Sequence, residues 1–220
     1  MSKRLLSLLT IILLALHDPA AAREQALDLL DAPVPYTAQF RVASDRGVYH
    51  GTVWHAPGRE RREFDTQGGG QALLLRRDTD SAYLMKPGGR WYVGLALSAA
   101  AGLAGGLDGM IVKRTRVKDD TVAGIRATQY RVDATAAKGG RFDGDAWFTK
   151  DGIMVKAVGT VHTPGGKRMP VETSLSGLKL GAVDERKFEL PAGWLGMDLR
   201  SVPAERLEQA VESLRPMLER

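Results

Sequence analysis

A mainly β (α+β) fold, an antiparallel meander curling into a barrel or half barrel, is what the sequence predicts, and three observations carry it. Short runs of alternating polarity follow one another from Tyr36 to Leu180. Tight hairpin signals such as Asp151-Gly152 separate them. The 25 glycines and 10 prolines, against 6% aromatics, suit many turns better than a helical bundle. With 220 residues, 44% of them apolar and 26% charged, the chain is long enough for a real core and too apolar for wholesale disorder.

The first 22 residues predict an export signal rather than structure. Lys3 and Arg4 form a positive start, and Leu5 to Leu16 is an uncharged apolar run. His17-Asp18-Pro19 breaks it, and Ala20-Ala21-Ala22 supplies the small-residue cleavage pattern. As a helix the run spans about 18 Å, short of a hydrocarbon core of about 30 Å. Cleavage after Ala22 and a periplasmic location are therefore expected, not a membrane anchor.

Residues 23–31 read as a short helix carrying Ala26, Leu27 and Leu30, ended by Pro33 and Pro35. Tyr36 to Val42 alternates as a strand, Ser44 to Gly47 turns, and Val48 to His55 returns. Pro57-Gly58 leads into Glu60–Thr66, and Gly68-Gly69-Gly70 into Gln71–Arg77. Asp78-Thr79-Asp80 precedes Ser81–Met85, and Lys86-Pro87-Gly88-Gly89 precedes Arg90–Val93. In the second half, Met110–Lys118 and Thr121–Ile125 flank a turn at Asp119-Asp120, followed by Arg126–Asp133. Phe142–Lys150, Ile153–His162 and Arg168–Leu180 complete the series, joined by Asp151-Gly152 and Pro164-Gly165-Gly166. No linker or composition shift interrupts 23–200, which reads as one domain.

Two segments break the β pattern. Residues 93–112 hold a single charge, Asp108, and five glycines. A membrane span is disfavoured by those glycines and that charge, and a plain core helix by the cost of each glycine, about 1 kcal/mol relative to alanine. Residues 95–109 are therefore expected to form a movable apolar lid. Residues 201–220 place Leu207, Ala210, Val211, Leu214 and Leu218 at helical spacing behind Ser201, with Pro216 as a kink or stop, and read as a C-terminal amphipathic helix.

Cysteine is absent, which excludes disulfides, thiolate metal sites, a cysteine nucleophile and a lipid-modified N-terminal cysteine. Removing residues 1–22 removes Lys3, Arg4 and Asp18 and takes the formal charge from +5 to +4. The arginine and lysine groups at 59–62, 76–77 and 113–118 lack the interleaved aromatics of a nucleic-acid platform. Solvated strand faces explain them, and peripheral contact with anionic lipid is the sharper alternative.

Several motifs resemble one family. Arg61-Arg62-Glu63-Phe64, Arg76-Arg77-Asp78, Tyr83-Leu84-Met85-Lys86-Pro87 and Trp91-Tyr92 are similar to the exported LolA/LolB-like superfamily. So are Ala127-Thr128-Gln129-Tyr130-Arg131-Val132, Gly144-Asp145-Ala146-Trp147-Phe148-Thr149, Asp151-Gly152-Ile153-Met154 and Phe188-Glu189-Leu190-Pro191-Ala192-Gly193-Trp194. The resemblance covers 34–194 and includes outer-membrane lipoprotein-sorting-like proteins and a related family of unknown function. It implies a strongly curved antiparallel sheet, an unclosed barrel with helices on its concave side. It also implies a concave face that binds acyl chains or, in related sensors, a membrane-protein partner. The chain departs from LolB-type acceptors by lacking a lipobox cysteine, so it is not lipid-anchored, and residues 195–220 lie outside the family pattern.

Catalytic chemistry finds no support. His50 and His55 are five apart on one strand and so face opposite sides, which rules out a shared metal site. His162 stands alone beside a turn. No G-x-S-x-G elbow exists, and the glycine clusters lack a phosphate loop's lysine and hydroxyl. Asp143 with Asp145, and Asp119 with Asp120, lack the other ligands of a calcium loop. The expected function is thus a non-enzymatic periplasmic carrier that shields acyl chains of lipids or lipoproteins and needs no cofactor or metal. The alternative is an envelope sensor or interaction module for a membrane-protein partner. The candidate cavity and lid residues are Phe40, Trp54, Phe64, Leu84, Trp91, Leu95, Leu97, Leu103, Leu107, Met110, Phe148 and Leu175.

Overall fold

The computed structural model describes residues 23–45, 47–65, 70–103, 109–137, 139–163, 165–202 and 206–207. The chain opens with β1 (Arg23–Gln25) and α1 (Ala26–Leu30). A meander follows: β2 (Tyr36–Ser44), β3 (Gly47–Ala56), β4 (Arg59–Phe64), β5 (Gln71–Arg76), β6 (Ser81–Lys86) and β7 (Trp91–Ala96). After α2 (Leu97–Leu103) come β8 (Ile111–Val122), β9 (Ile125–Thr135), β10 (Arg141–Phe148), β11 (Met154–His162), β12 (Arg168–Leu180) and β13 (Leu195–Asp198). They form a single sheet in the order β1-β8-β9-β10-β11-β12-β2-β3-β4-β5-β6-β7-β13. Strands β12 and β2 join the two meanders, and β1 and β13 lie at the edges, so the sheet does not close. Every pairing is antiparallel except β13 with β7.

Register sorts the side chains onto two faces. On the inner face, which carries α1, Tyr36, Ala38 and Phe40 of β2 stand opposite His55, Val53 and Gly51 of β3. Ala157, Ala146 and Tyr130 continue that face across β11, β10 and β9. Two apolar clusters cover it. In one, Ala26 packs with Val112, Val132, Ala134, Ala146 and Phe148. The other centres on Phe40, Val53, Ile153, Val155 and Leu175. The outer face of β3–β7 has its own layer, Ala56, Ala72, Leu74 and Met85, covered by Phe188, Leu190 and Trp194 of the strap 183–194.

Four expectations change. Residues 23–25 are a strand, because they pair with Ile111–Lys113; the helix begins only at Ala26. Asp119 and Asp120 lie within β8. The turn is at Ala123-Gly124, whose φ of 49° and 80° give the left-handed pair that a two-residue hairpin requires. Trp54 does not join the concave residues. Val53 and His55 point inward, so Trp54 between them points outward, against the strap. His162 is not alone, since its Nε2 meets Asp143 Oδ2 at 2.5 Å. Among the described residues no helix is long and apolar enough to cross a membrane. The segment 104–108 and most of the expected C-terminal helix lie outside the described residues; Arg206 and Leu207 are helical, and Leu207 is buried.

Candidate apolar site beneath helix α1

Between α1 and the inner face of β8–β12 lies a cavity of about 190 Å³. Ala26, Leu29 and Leu30 form its roof, and Val112, Val132, Ala134, Phe142, Ala146, Phe148 and Ala157 contribute walls and floor. Among the described residues, Thr173 is the one lining residue with a polar side chain. An apolar lining of this kind favours an apolar guest: an engineered cavity of roughly 150 Å³ binds benzene.

Small residues at inward positions create the space. Ala146 pairs with Ala157, and beside them Gly144 pairs with Gly159. The Phe142 ring lies over the glycine pair. A Cβ at Gly159 would stand 2.6 Å from that ring and 2.3 Å from the Asp143 carbonyl oxygen, so close approach demands glycine there. The floor is therefore low, and the cavity lies between it and Ala26, Leu29 and Leu30 of the five-residue helix above.

A helix this short does not hold itself. Its start is fixed by β1 pairing with β8 and by Ala26 N donating to Met110 O at 2.9 Å. Its end is held from the other half of the sheet. Arg77 donates to Leu27 O at 2.6 Å and to Asp28, and Gly58 N donates to Asp31 Oδ1 at 2.9 Å. His55 Nε2 lies 2.8 Å from Ala32 O, which can only accept, so that nitrogen carries a proton. Nδ1 faces Glu60 Oε2 at 3.4 Å, a long contact without good hydrogen-bond alignment. Burial disfavours the charged ring, but Glu60, the Ala32 carbonyl and Asp31 outweigh it and raise the His55 pKa above its ordinary value. Burial also pushes Glu60 up, yet the Arg62 charge, the hydrogen bond from Arg62 Nε and the nearby His55 ring hold its carboxyl at about 2. This cluster positions the roof. His55 is itself buried, 1% exposed. Among the described residues no three His, Cys, Asp or Glu side chains gather as a metal site.

Of the predicted residues, Met110 and Phe148 line the cavity. Phe40 and Leu175 are buried in the neighbouring inner-face cluster, with Phe64 packed against it. Leu84, Trp91 and Leu95 are half-buried on the inner side of β6 and β7, away from the cavity, and Leu97 is buried at the start of α2. Leu107 and the side chain of Leu103 lie outside the described residues. Sequence reasoning missed Leu29, Ala134, Phe142, Ala146 and Ala157. The signal was present as small residues in the inward phase, Gly144-x-Ala146 on one strand and Ala157-x-Gly159 on the next.

No protein-family model and no curated protein matches the chain. Solved structures do. An uncharacterized conserved protein from Thermus thermophilus superposes with a TM-score of 0.52 at 12% identity, over 79% of this chain and 96% of that one. MucB, from the Pseudomonas aeruginosa MucA/MucB complex, gives 0.47 at 14% identity; 76% of this chain covers 60% of the MucB chain. A LolA superfamily protein from Nitrosomonas europaea gives 0.37 at 11% identity, over 76% of this chain and 98% of that one. At these identities the likeness is one of fold.

Proposed function

We propose that this protein is an exported, non-catalytic binding protein that shelters an alkyl chain of a lipid or lipoprotein in the cavity beneath α1. The supporting observation is the cavity itself, about 190 Å³, walled by aliphatic and aromatic side chains and floored by an alanine pair. Export is supported by the charged start, apolar run and Ala20/Ala22 pattern of the N-terminus. Small-molecule pockets usually run to several hundred Å³. A cavity below that range suits part of one chain rather than a whole multi-chain lipid.

The test is displacement of a fluorescent fatty-acid probe from the purified protein, with a mass spectrum of its solvent extract. The wild type is expected to bind the probe and to yield fatty acyl species, and Ala157→Leu, which fills the floor, to bind at least ten-fold more weakly. Equal or absent binding in both proteins overturns the reading.

One observation favours the second reading, an interaction module for a membrane-protein partner. The edge strand β13 exposes Leu195 (76%) and Met197 (42%). An edge strand with apolar side chains is a template for strand addition. An empty extract together with capture of a membrane protein through β13 would support it.

A further inference from the structure

We propose that Arg114 is a head-group site for the cavity, and that the ligand is a single-chain amphiphile ending in an anion, of the fatty-acid type. This rests on the preceding reading that the cavity holds an alkyl chain. Val112 lines the cavity, and Arg114 is the next residue of β8 on the same face, roughly 7 Å further along. Its guanidinium carbon lies 5.2 Å from the ring centre of Phe148, a cavity wall, and 5.0 Å from that of Tyr130. The two rings hold the cation beside the Phe148 wall of the cavity, the side on which the proposed chain would emerge. Arg116, the next inner-face cation, is exposed and pairs with Asp119 at 2.7 Å.

Arg114 has an acidic partner, Glu24, and that pairing is imperfect. Nη2 donates to Glu24 Oε1 at 3.0 Å. Nε approaches Oε2 to 2.9 Å, but its N–H is not aimed there, so among the described residues this buried oxygen has no hydrogen-bond donor. A planar guanidinium is built for two parallel bonds to one carboxylate. Glu24 satisfies one of them. It sits on the three-residue edge strand β1, immediately before the roof helix. An incoming carboxylate can take both bonds and leave Glu24 to water, of which its side chain already sees about a third (32%).

The size of the cavity sets the rest of the ligand. At about 30 Å³ per water-sized group, 190 Å³ holds roughly six methylene-sized groups. Further methylenes then cover the distance along β8 to Arg114. One medium-length chain meets both requirements.

The experiment compares laurate with dodecanol, which has the same chain and no charge, against the full protein and its Arg114→Gln and Glu24→Gln variants. Binding is read by displacement of a fluorescent probe, and folding of each variant by its melting curve. Laurate is expected to bind the wild type at least ten-fold more tightly than dodecanol. Arg114→Gln should erase that preference while leaving dodecanol unchanged. Glu24→Gln, which removes the competing carboxylate, should strengthen laurate binding several-fold. If the pair only staples β1 to β8, the two variants will weaken both ligands alike, and the proposal falls. Equal binding of laurate and dodecanol by the wild type also overturns it, while the alkyl-chain reading stands. Failure of both ligands to bind the wild type overturns the alkyl-chain reading itself.

Discussion

Under α1 the inner face of β8–β12 keeps a void of about 190 Å³, whereas on the outer face of β3–β7 the strap presses Phe188 to 1% exposure. The two layers draw on similar residue types and differ in what lies above them. The strap brings a ring into the layer and fastens its own backbone: Arg76 donates to Phe188 O at 3.0 Å, Arg61 to Lys187 O at 3.4 Å, and Arg59 stands 5.1 Å over the Phe188 ring. The roof brings Ala26 and Leu29 and is fastened at its ends, and among the described residues no ring like Phe188 is inserted beneath it. A filled layer converts apolar area into stability. An unfilled one forgoes part of that stability and keeps a place for another molecule's methylenes.

The largest effect that can break this contrast is Phe188→Ala. Removing a fully buried ring should destabilise the protein by about 3–5 kcal/mol, read by urea or thermal unfolding. A loss under about 1 kcal/mol would mean that the strap is peripheral and that the two layers do not differ as described.

A matched pair of substitutions sharpens the contrast. Ala72 on the outer face is 0% exposed in the filled layer, and Ala157 lines the void. Ala72→Leu should cost roughly 1–3 kcal/mol by overpacking, while Ala157→Leu, growing into empty space, should stay within about 1.5 kcal/mol of the wild type. Equal costs would show that the void collapses or that the strap layer has slack.

The comparison also marks where the sequence is legible. Strands and hairpins are local, so β2 to β7 and β9 to β12 are readable from alternation and turn residues such as Asp151-Gly152. Face assignment follows from parity once a strand is placed, and Trp54 is misread only because its size outweighed its position between Val53 and His55. The strand character of Arg23–Gln25 is not local at all, since it exists only through β8, nearly ninety residues on. The cavity is harder still. Large apolar residues announce a core, but a void is made by small ones. Ala146, Ala157, Gly144 and Gly159 reveal it only when β10 and β11 are set in register. The apolar run at 93–112 therefore drew attention away from the site, and of its residues Met110 and Val112 line the cavity.

The pH dependence separates the roof from the strap. The folded state binds the His55 proton more tightly than the unfolded chain does, because Glu60, Ala32 O and Asp31 surround the ring. The group's contribution is complete below its unfolded pKa of about 6.5 and is lost as pH rises through the raised folded pKa. Stability should therefore decline as pH rises above about 6.5, and His55→Gln should flatten that part of the curve. Hydrogen exchange should show Ala26 to Ala32 loosening over the same window, with the strap unchanged. A curve that keeps its slope in His55→Gln assigns the effect to another group.

The smallest effect is expected at the strap's visible fastening, the Arg59–Glu185 pair. Glu185 is two-thirds exposed and Arg59 about a quarter, so water screens the attraction and ordering two long side chains offsets much of it. Arg59 also keeps its contact with the Phe188 ring when the carboxylate is gone. Glu185→Gln should thus cost at most about 1 kcal/mol, and the difference should shrink further in high salt. Combined with Phe188→Ala it should add almost nothing, because the strap's hold has by then been lost through the ring. A double variant that loses clearly more than Phe188→Ala alone would place the strap's stability in its charges. The contrast between a layer filled by a side chain and a layer left open would then have to be redrawn as one between two polar clasps, Arg59–Glu185 on the outer face and the His55 and Arg77 contacts on the inner.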